Sequence, residues 1–183
     1  ELFVLDDGWF GRRNNDHCSL GDWTVNVQKL PSGLAGFAGK LRQLGLDFGL
    51  WVEPEMVSPD SDLYRAHPDW AVACPGRLPS ESRNQYILDQ GRGEVQEYLI
   101  TTLKTLFASA PISYVKWDMN RNFSDFYAAG LPAGRQGEFF HRYILGLYRV
   151  LEQVTSAFPD ILFESCASGG NRFDLGMLCY MPQ

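Results

Sequence analysis

Short, nearly continuous apolar runs alternate along this chain with longer amphipathic ones. Leu2-Phe3-Val4-Leu5, Leu46 to Val52, Ile112 to Trp117 and Ile161-Leu162-Phe163 are too short for helices. They predict buried strands over about 1–6, 46–52, 112–118 and 160–165. Leu34, Phe37, Ala38, Leu41 and Leu44 recur at helical spacing over about 33–44, and Gly45 stops that helix. Val95, Leu99, Leu103 and Leu106 do the same over about 92–109, and Phe139, Tyr143, Leu147, Val150, Leu151 and Val154 over about 135–157. A helical turn around 60–66, a short strand at Tyr86-Ile87-Leu88-Asp89 and a helix start between Phe173 and Met177 complete the pattern.

The order β-α-β-α-β-α-β, with strands apolar along their whole length, predicts a parallel sheet covered by helices. Polar residues collect after each strand, where parallel α/β folds place their active sites. No G-x-G-x-x-G follows a strand, no G-x-x-x-x-G-K-[ST] occurs, and Gly91-Arg92-Gly93 lacks the third glycine. A nucleotide-binding sheet is disfavoured, and a barrel of βα units is preferred. An intact barrel needs eight strands in about 250 residues; four main strands make half of one. The chain starts without Met inside a strand and stops at Met181-Pro182-Gln183. It reads as an internal piece of a longer chain, a single partial barrel domain over 1–183 truncated at both ends. Such a piece exposes two parallel edges, which predicts poor solubility in isolation.

Composition narrows the function. A hydrophobic fraction of 45% with 14% aromatics indicates a globular protein. The net charge of −6 argues against nucleic acid or an anionic membrane surface as partner. The apolar runs are shorter than a membrane span, and no signal peptide is visible. Cys18, Cys74, Cys166 and Cys179 show no C-x-x-C spacing and read as free thiols of a reducing, cytoplasmic compartment.

The candidate chemistry centres on Lys116-Trp117-Asp118-Met119-Asn120-Arg121, at the polar end of the third main strand. Alternation places Lys116, Asp118 and Asn120 on one face, a cation and an amide flanking a carboxylate. The other strand ends supply carboxylates (Asp6, Asp7, Glu53, Glu55, Glu164), and cations Arg83, Arg121 and Arg172 with five tryptophans (Trp9, Trp23, Trp51, Trp70, Trp117) join them. Carboxylates accept hydrogen bonds from vicinal hydroxyls and an indole packs on the C–H face of a pyranose, so the set points to a sugar. Core packing is the competing reading for each tryptophan, and a turn or cap for Asp6-Asp7. Adjacent aspartates bring like charges together, which is costly unless a ligand or cation relieves it. Glu53 and Glu55 flank Pro54 on one face of a strand end, where anchoring is preferred to a role as acid or ligand. The three histidines are scattered, which leaves a carboxylate-only magnesium site as the competing metal reading. Cys166 has no histidine partner motif and reads as a packed or ligand-contacting thiol.

Four segments resemble glycoside hydrolase family 36 α-galactosidases: Leu5-Asp6-Asp7-Gly8-Trp9-Phe10, Gly49 to Met56, Tyr114 to Arg121, and Glu164-Ser165-Cys166-Ala167-Ser168-Gly169-Gly170. Leu20-Gly21-Asp22-Trp23 and Ser82-Arg83-Asn84-Gln85-Tyr86 join them, so the resemblance covers the chain in order. It implies an α/β fold, a partial (β/α)8 barrel holding about strands 2–5 of eight. It implies retaining hydrolysis of terminal α-1,6-linked galactose from melibiose, raffinose and stachyose, without a cofactor or metal. Asp118 matches the nucleophile, and Lys116 beside it binds sugar hydroxyls and keeps it ionised. Asp6 and Asp7 match the pair that grips the galactose hydroxyls, and Trp51, Arg83, Asn120, Cys166 and Gly169 match further sugar-contacting positions. Asn171 stands where the family more often has glycine, which alters the loop. The general acid/base of the family lies beyond Gln183; Asp174 is read as part of a helix and is not assigned that role. The piece alone is therefore expected not to turn over. The family is often tetrameric, which implies a homo-oligomeric parent. The alternatives are an α-N-acetylgalactosaminidase or a galactosyl transferase on the same barrel, or a non-catalytic galactoside-binding piece. A cysteine at 166 suits a 2-hydroxyl better than a 2-acetamido group.

Overall fold

The computed structural model describes all 183 residues. β1 (Leu2–Leu5) leads through α1 (Gly33–Gln43) to β2 (Asp47–Val52). β3 (Met56–Val57), α2 (Asp62–Ala66), a 3-10 turn at Pro68–Trp70 and β4 (Tyr86–Ile87) lie on the long connection to α3 (Gly93–Ala108). β5 (Ile112–Trp117), a 3-10 stretch at Ala133–Glu138, α4 (Phe139–Thr155), β6 (Leu162–Ser165) and α5 (Leu175–Leu178) follow. Each predicted element is present. The helix expected from about 135 begins at Phe139, because the turn before it is wound as 3-10 after Pro132.

The four main strands form one parallel sheet in the order β1-β2-β5-β6. Spatial order follows chain order, so every crossover steps the same way. Right-handed crossovers that never reverse put all connecting helices on one face. That is the arrangement of an arc of a barrel and not of a doubly wound sheet, whose strand order reverses at a switch point. β3 and β4 pair antiparallel, extended by a bridge between Ala71 and Leu88, as a small separate sheet on the long connection.

Local rules set the joints. α1 ends in a Schellman motif: the amide of Leu46 donates to Leu41 O (3.1 Å), that of Gly45 to Arg42 O (3.0 Å), and Gly45 takes φ +76°. α4 buries Phe139, Tyr143, Leu147, Val150, Leu151 and Val154 as one stripe, partly against α3. Each such side chain, fully buried, contributes about 1.5–3 kcal/mol. At Gly146 the helix crosses a loop so closely that a Cβ would stand 1.7 Å from Gln90 O.

All five tryptophans are core residues, none more than 8% exposed. Core packing, the competing reading of each tryptophan, describes their surroundings within this chain. Trp9, Phe10, Trp23 and Trp51 pack on one another, with Phe10 and Trp51 stacked at 6.2 Å and 9°. The segment after β1 folds back over the sheet end and seals these rings.

Candidate active site

Strand register builds the site in rows. Val4, Gly49, Tyr114 and Leu162 are neighbours across β1, β2, β5 and β6. Two residues further along, Trp51 pairs with Lys116 and Lys116 with Glu164, and the β1 register continued one step sets Asp6 beside Trp51. In that row Lys116 Nζ lies 3.2 Å from Asp6 Oδ2. Tyr114, one row back, donates its hydroxyl to Glu164 Oε2 at 2.6 Å. Asp118 and Cys166 come next: the Asp118 amide bonds Val52 O (2.8 Å) and the Cys166 amide bonds Trp117 O (2.9 Å). The ladder therefore continues past the strand ends and places both side chains with little freedom.

Asp118 is 5% exposed and surrounded by donors. Trp51 Nε1 donates to its Oδ2 at 3.0 Å, Asn120 Nδ2 to the same oxygen at 2.7 Å, and the Met119 amide to Oδ1 at 2.9 Å. Burial pushes this carboxyl up, but the hydrogen bonds from Trp51, Asn120, the Cys166 thiol and Met119 outweigh it, and the group sits below its ordinary range. Asp118 is thus ionised and preorganised. Lys116 makes its direct contact with Asp6, so the fixed neutral donors, more than the expected lysine, hold Asp118 in its charged form. Trp51 is 3% exposed, with its N–H committed to Asp118. Burial, with some help from Asp118, raises the Cys166 thiol, which remains protonated and acts as a donor.

The aspartate pair is resolved by two cations. Asp6 pairs with Lys116, whereas Asp7 is gripped by Arg13, with Nε at 3.0 Å and Nη2 at 2.8 Å. Arg13 is 4% exposed, and Lys29 in turn donates to the Gly8 and Arg13 carbonyls at 2.8 and 2.5 Å. Arg13 had no sequence signal beyond a polar loop. Arg83 is exposed at the tip of the Ser82–Gln85 turn, where it and Asn84 take φ +52° and +59°. Its side chain has no hydrogen bond or ion pair, and nothing in this chain brings it to Asp118. Gly169 has φ +94° and accepts from the Ala167 amide at 2.8 Å. Asn171 closes that loop through its own carboxamide, which donates to Ala167 O (2.9 Å) and Ser168 O (3.2 Å).

Glu53 and Glu55 face different partners, correcting the expectation of a shared face. Glu53 is 1% exposed; its Oε1 accepts the Asn120 amide and its Oε2 accepts Gln85 Nε2 at 3.0 Å. Burial pushes its carboxyl up to about 7, and the charge of Asp118 adds to the rise. Glu55 accepts from Trp117 Nε1 (3.0 Å), the Tyr143 hydroxyl (2.7 Å) and Arg172 Nη1 (2.6 Å). Asp174 caps α5, accepting from the Gly176 and Met177 amides. No group of three or more His, Cys, Asp or Glu side chains in this chain is placed to share a metal ion. A cavity of about 440 Å³ opens between Met119–Asn122 and the Ala167–Arg172 loop, large enough for a small polar ligand.

The raised Glu53 carboxyl gives a stability prediction. A group with a folded pKa above its unfolded value contributes stability that is complete below the unfolded value and lost as pH rises through the folded one. For Glu53 that window runs from the ordinary 4.5 to about 7. Between pH 4.5 and 8, native protein should lose about 3 kcal/mol relative to Glu53→Gln. Denaturant midpoints of both proteins at the two pH values measure this; a constant difference would refute it.

A family model described as Melibiase matches residues 1–183. The chain belongs to that family. It is 61% identical over its whole length to alpha-galactosidase AgaA of Geobacillus stearothermophilus and 57% identical to alpha-galactosidase 1 of Pediococcus pentosaceus, covering 25% of each. The crystal structure of a glycoside hydrolase family 36 AgaA double variant in complex with raffinose superposes with a TM-score of 0.98 at 61% identity, over 100% of this chain and 26% of that one. An alpha-galactosidase from Lactobacillus brevis superposes at 0.96 with 51% identity, again over 100% of this chain and 25% of the other. The chain spans about a quarter of the relatives it matches. No helix in it is long and apolar enough to cross a membrane.

Proposed function

We propose that the protein carrying this chain is a retaining α-galactosidase releasing terminal α-1,6-linked galactose from melibiose- or raffinose-type galactosides. In this reading residues 1–183 are one partial catalytic domain, the second to fifth strands of a (β/α)8 barrel, within a cytoplasmic homo-oligomer. The observation that carries it is Asp118: a buried carboxylate at the end of a barrel-type strand, kept charged by three neutral side-chain donors. A retaining glycosidase needs such a nucleophile about 5–5.5 Å from a second, protonated carboxyl. Asp118 attacks the anomeric carbon, the second group protonates the departing oxygen, and water then releases galactose from the Asp118 ester.

Four carboxyls near the strand ends are already engaged in this chain. Glu53 and Glu55 are buried and bonded, Glu164 accepts from Tyr114, and Asp174 is spent as a cap. The acid/base is assigned to the chain beyond residue 183. Asp6 and Lys116, paired at the same end of the sheet, are offered to galactose hydroxyls together with Asp7, which Arg13 orients. The resemblance of the 61%-identical AgaA, whose crystal structure contains raffinose, supports the substrate class.

The experiment is trapping. A 2-fluoro-galactosyl fluoride carries a good leaving group, while its electron-withdrawing fluorine slows breakdown of the ester. Intact mass and peptide mapping of the full-length protein are expected to place one adduct on Asp118. An active enzyme that labels elsewhere would overturn the assignment.

A further inference from the structure

Glu53 sits one residue past β2, out of reach of solvent, and binds both segments that frame the nucleophile. Its Oε1 accepts the backbone amide of Asn120, the residue whose carboxamide donates to Asp118 Oδ2 at 2.7 Å and whose Oδ1 accepts from Ser168 at 3.2 Å. Its Oε2 accepts Gln85 Nε2 at 3.0 Å. Gln85 O in turn accepts Arg121 Nη1 at 2.8 Å, as does Ser80 O at 2.7 Å, so the turn bearing Arg83 is tied to the peptide bearing Asn120. One buried side chain thereby fixes two loops that no regular secondary structure holds.

We propose that Glu53 is a positioning residue for Asp118, acting as the acceptor that fixes the Asn120 peptide and through it the Asn120–Asp118 hydrogen bond. This rests on the reading of Asp118 as nucleophile. A free Asn120 peptide lets the carboxamide swing from Oδ2, which both misdirects the carboxylate and removes one of the donors that hold it ionised. The acceptor, and not the charge, performs this task, because the bond to Asn120 needs only a lone pair. Gln85 supports the distinction: its Oε1 is buried and has no partner. A flipped Gln85 amide would bond the NH2 of a glutamine at position 53, whose own oxygen would still face Asn120.

The test uses the full-length protein with an activated aryl α-galactoside. Glu53→Leu keeps the volume and removes the acceptor; kcat is expected to fall on the order of 100-fold, with KM little changed. Glu53→Gln is expected to restore near-native kcat. Asn120→Ala combined with Glu53→Leu should be no slower than Asn120→Ala alone, because both act on one bond. Native kcat in folded Glu53→Leu, or losses that multiply in the double variant, would overturn the proposal. Where Glu53→Leu does not fold, Glu53→Gln decides: native kcat supports positioning by the acceptor, and a hundred-fold loss refutes it. Absence of galactosidase activity in the native protein would sink the functional reading instead. The crystal structure of Glu53→Leu would then judge Glu53, with Asn120 still bonded to Asp118 as the overturning result.

Discussion

Replacing Asp118 by alanine in the full-length protein is expected to lower kcat on the order of 10⁴-fold or more, while the enzyme stays folded and still binds galactose. Fold retention follows from what surrounds the side chain. Trp51 remains packed against Phe10, and the main-chain ladder through the Asp118 amide and Val52 O does not involve the carboxylate. On the proposed role of Asp118, the chemistry is lost because the attacking oxygen is gone. The variant should also leave a small pocket under the anomeric carbon, beside the donors Trp51 and Asn120. A small anion such as azide is expected to enter it and attack an aryl galactoside whose leaving group needs no acid, giving β-galactosyl azide. That product, identified by NMR, would establish that Asp118 occupies the face opposite the leaving group. A variant with only a changed Kd for galactose and an unchanged kcat would reduce Asp118 to a binding residue. Retaining catalysis would then have to be sought in another carboxylate.

Much of this site was legible because strands encode geometry in their spacing. The four apolar runs fixed the sheet, and alternation correctly grouped Lys116, Asp118 and Asn120. What alternation cannot encode is the partner across the sheet. Lys116 meets Asp6, 110 residues away, and not Asp118, because register sets them in one row. Alternation also failed where Pro54 interrupts the strand: Glu53 turns to Gln85 and Asn120, and Glu55 to Trp117 and Tyr143. The tryptophans looked like sugar platforms because an indole suits a pyranose and a core equally well. Spacing does not reveal that Trp9 and Phe10 pack with Trp23 and Trp51 in one aromatic cluster. Arg13 was invisible for the same reason, since a loop arginine becomes a buried clamp only when its loop closes on Asp7.

Arg172→Met should be the most destabilising single change among the polar residues, costing about 3–5 kcal/mol. Glu55 is fully buried and its cationic partner is Arg172, with Nη1 at 2.6 Å from Oε1. Removing the cation strands a carboxylate among Trp117 and Tyr143, both of which remain neutral donors; burial and the nearby Glu55 charge raise the Tyr143 phenol well above its ordinary value. The penalty belongs to the uncompensated charge more than to the lost attraction, so a second change should relieve it. Glu55→Gln added to Arg172→Met is expected to recover a substantial part of the loss. Urea denaturation of native, single and double variants measures this directly, and a double variant less stable than Arg172→Met would refute it. The same ion pair anchors the loop of Ala167 to Asn171, which borders the cavity next to Asp118. Arg172→Met is therefore expected to raise KM as well, because Cys166 and Ser168 lose their fixed positions beside Asp118 and Asn120. The double variant should regain stability without regaining KM, since the charge conflict is removed while the loop stays untethered.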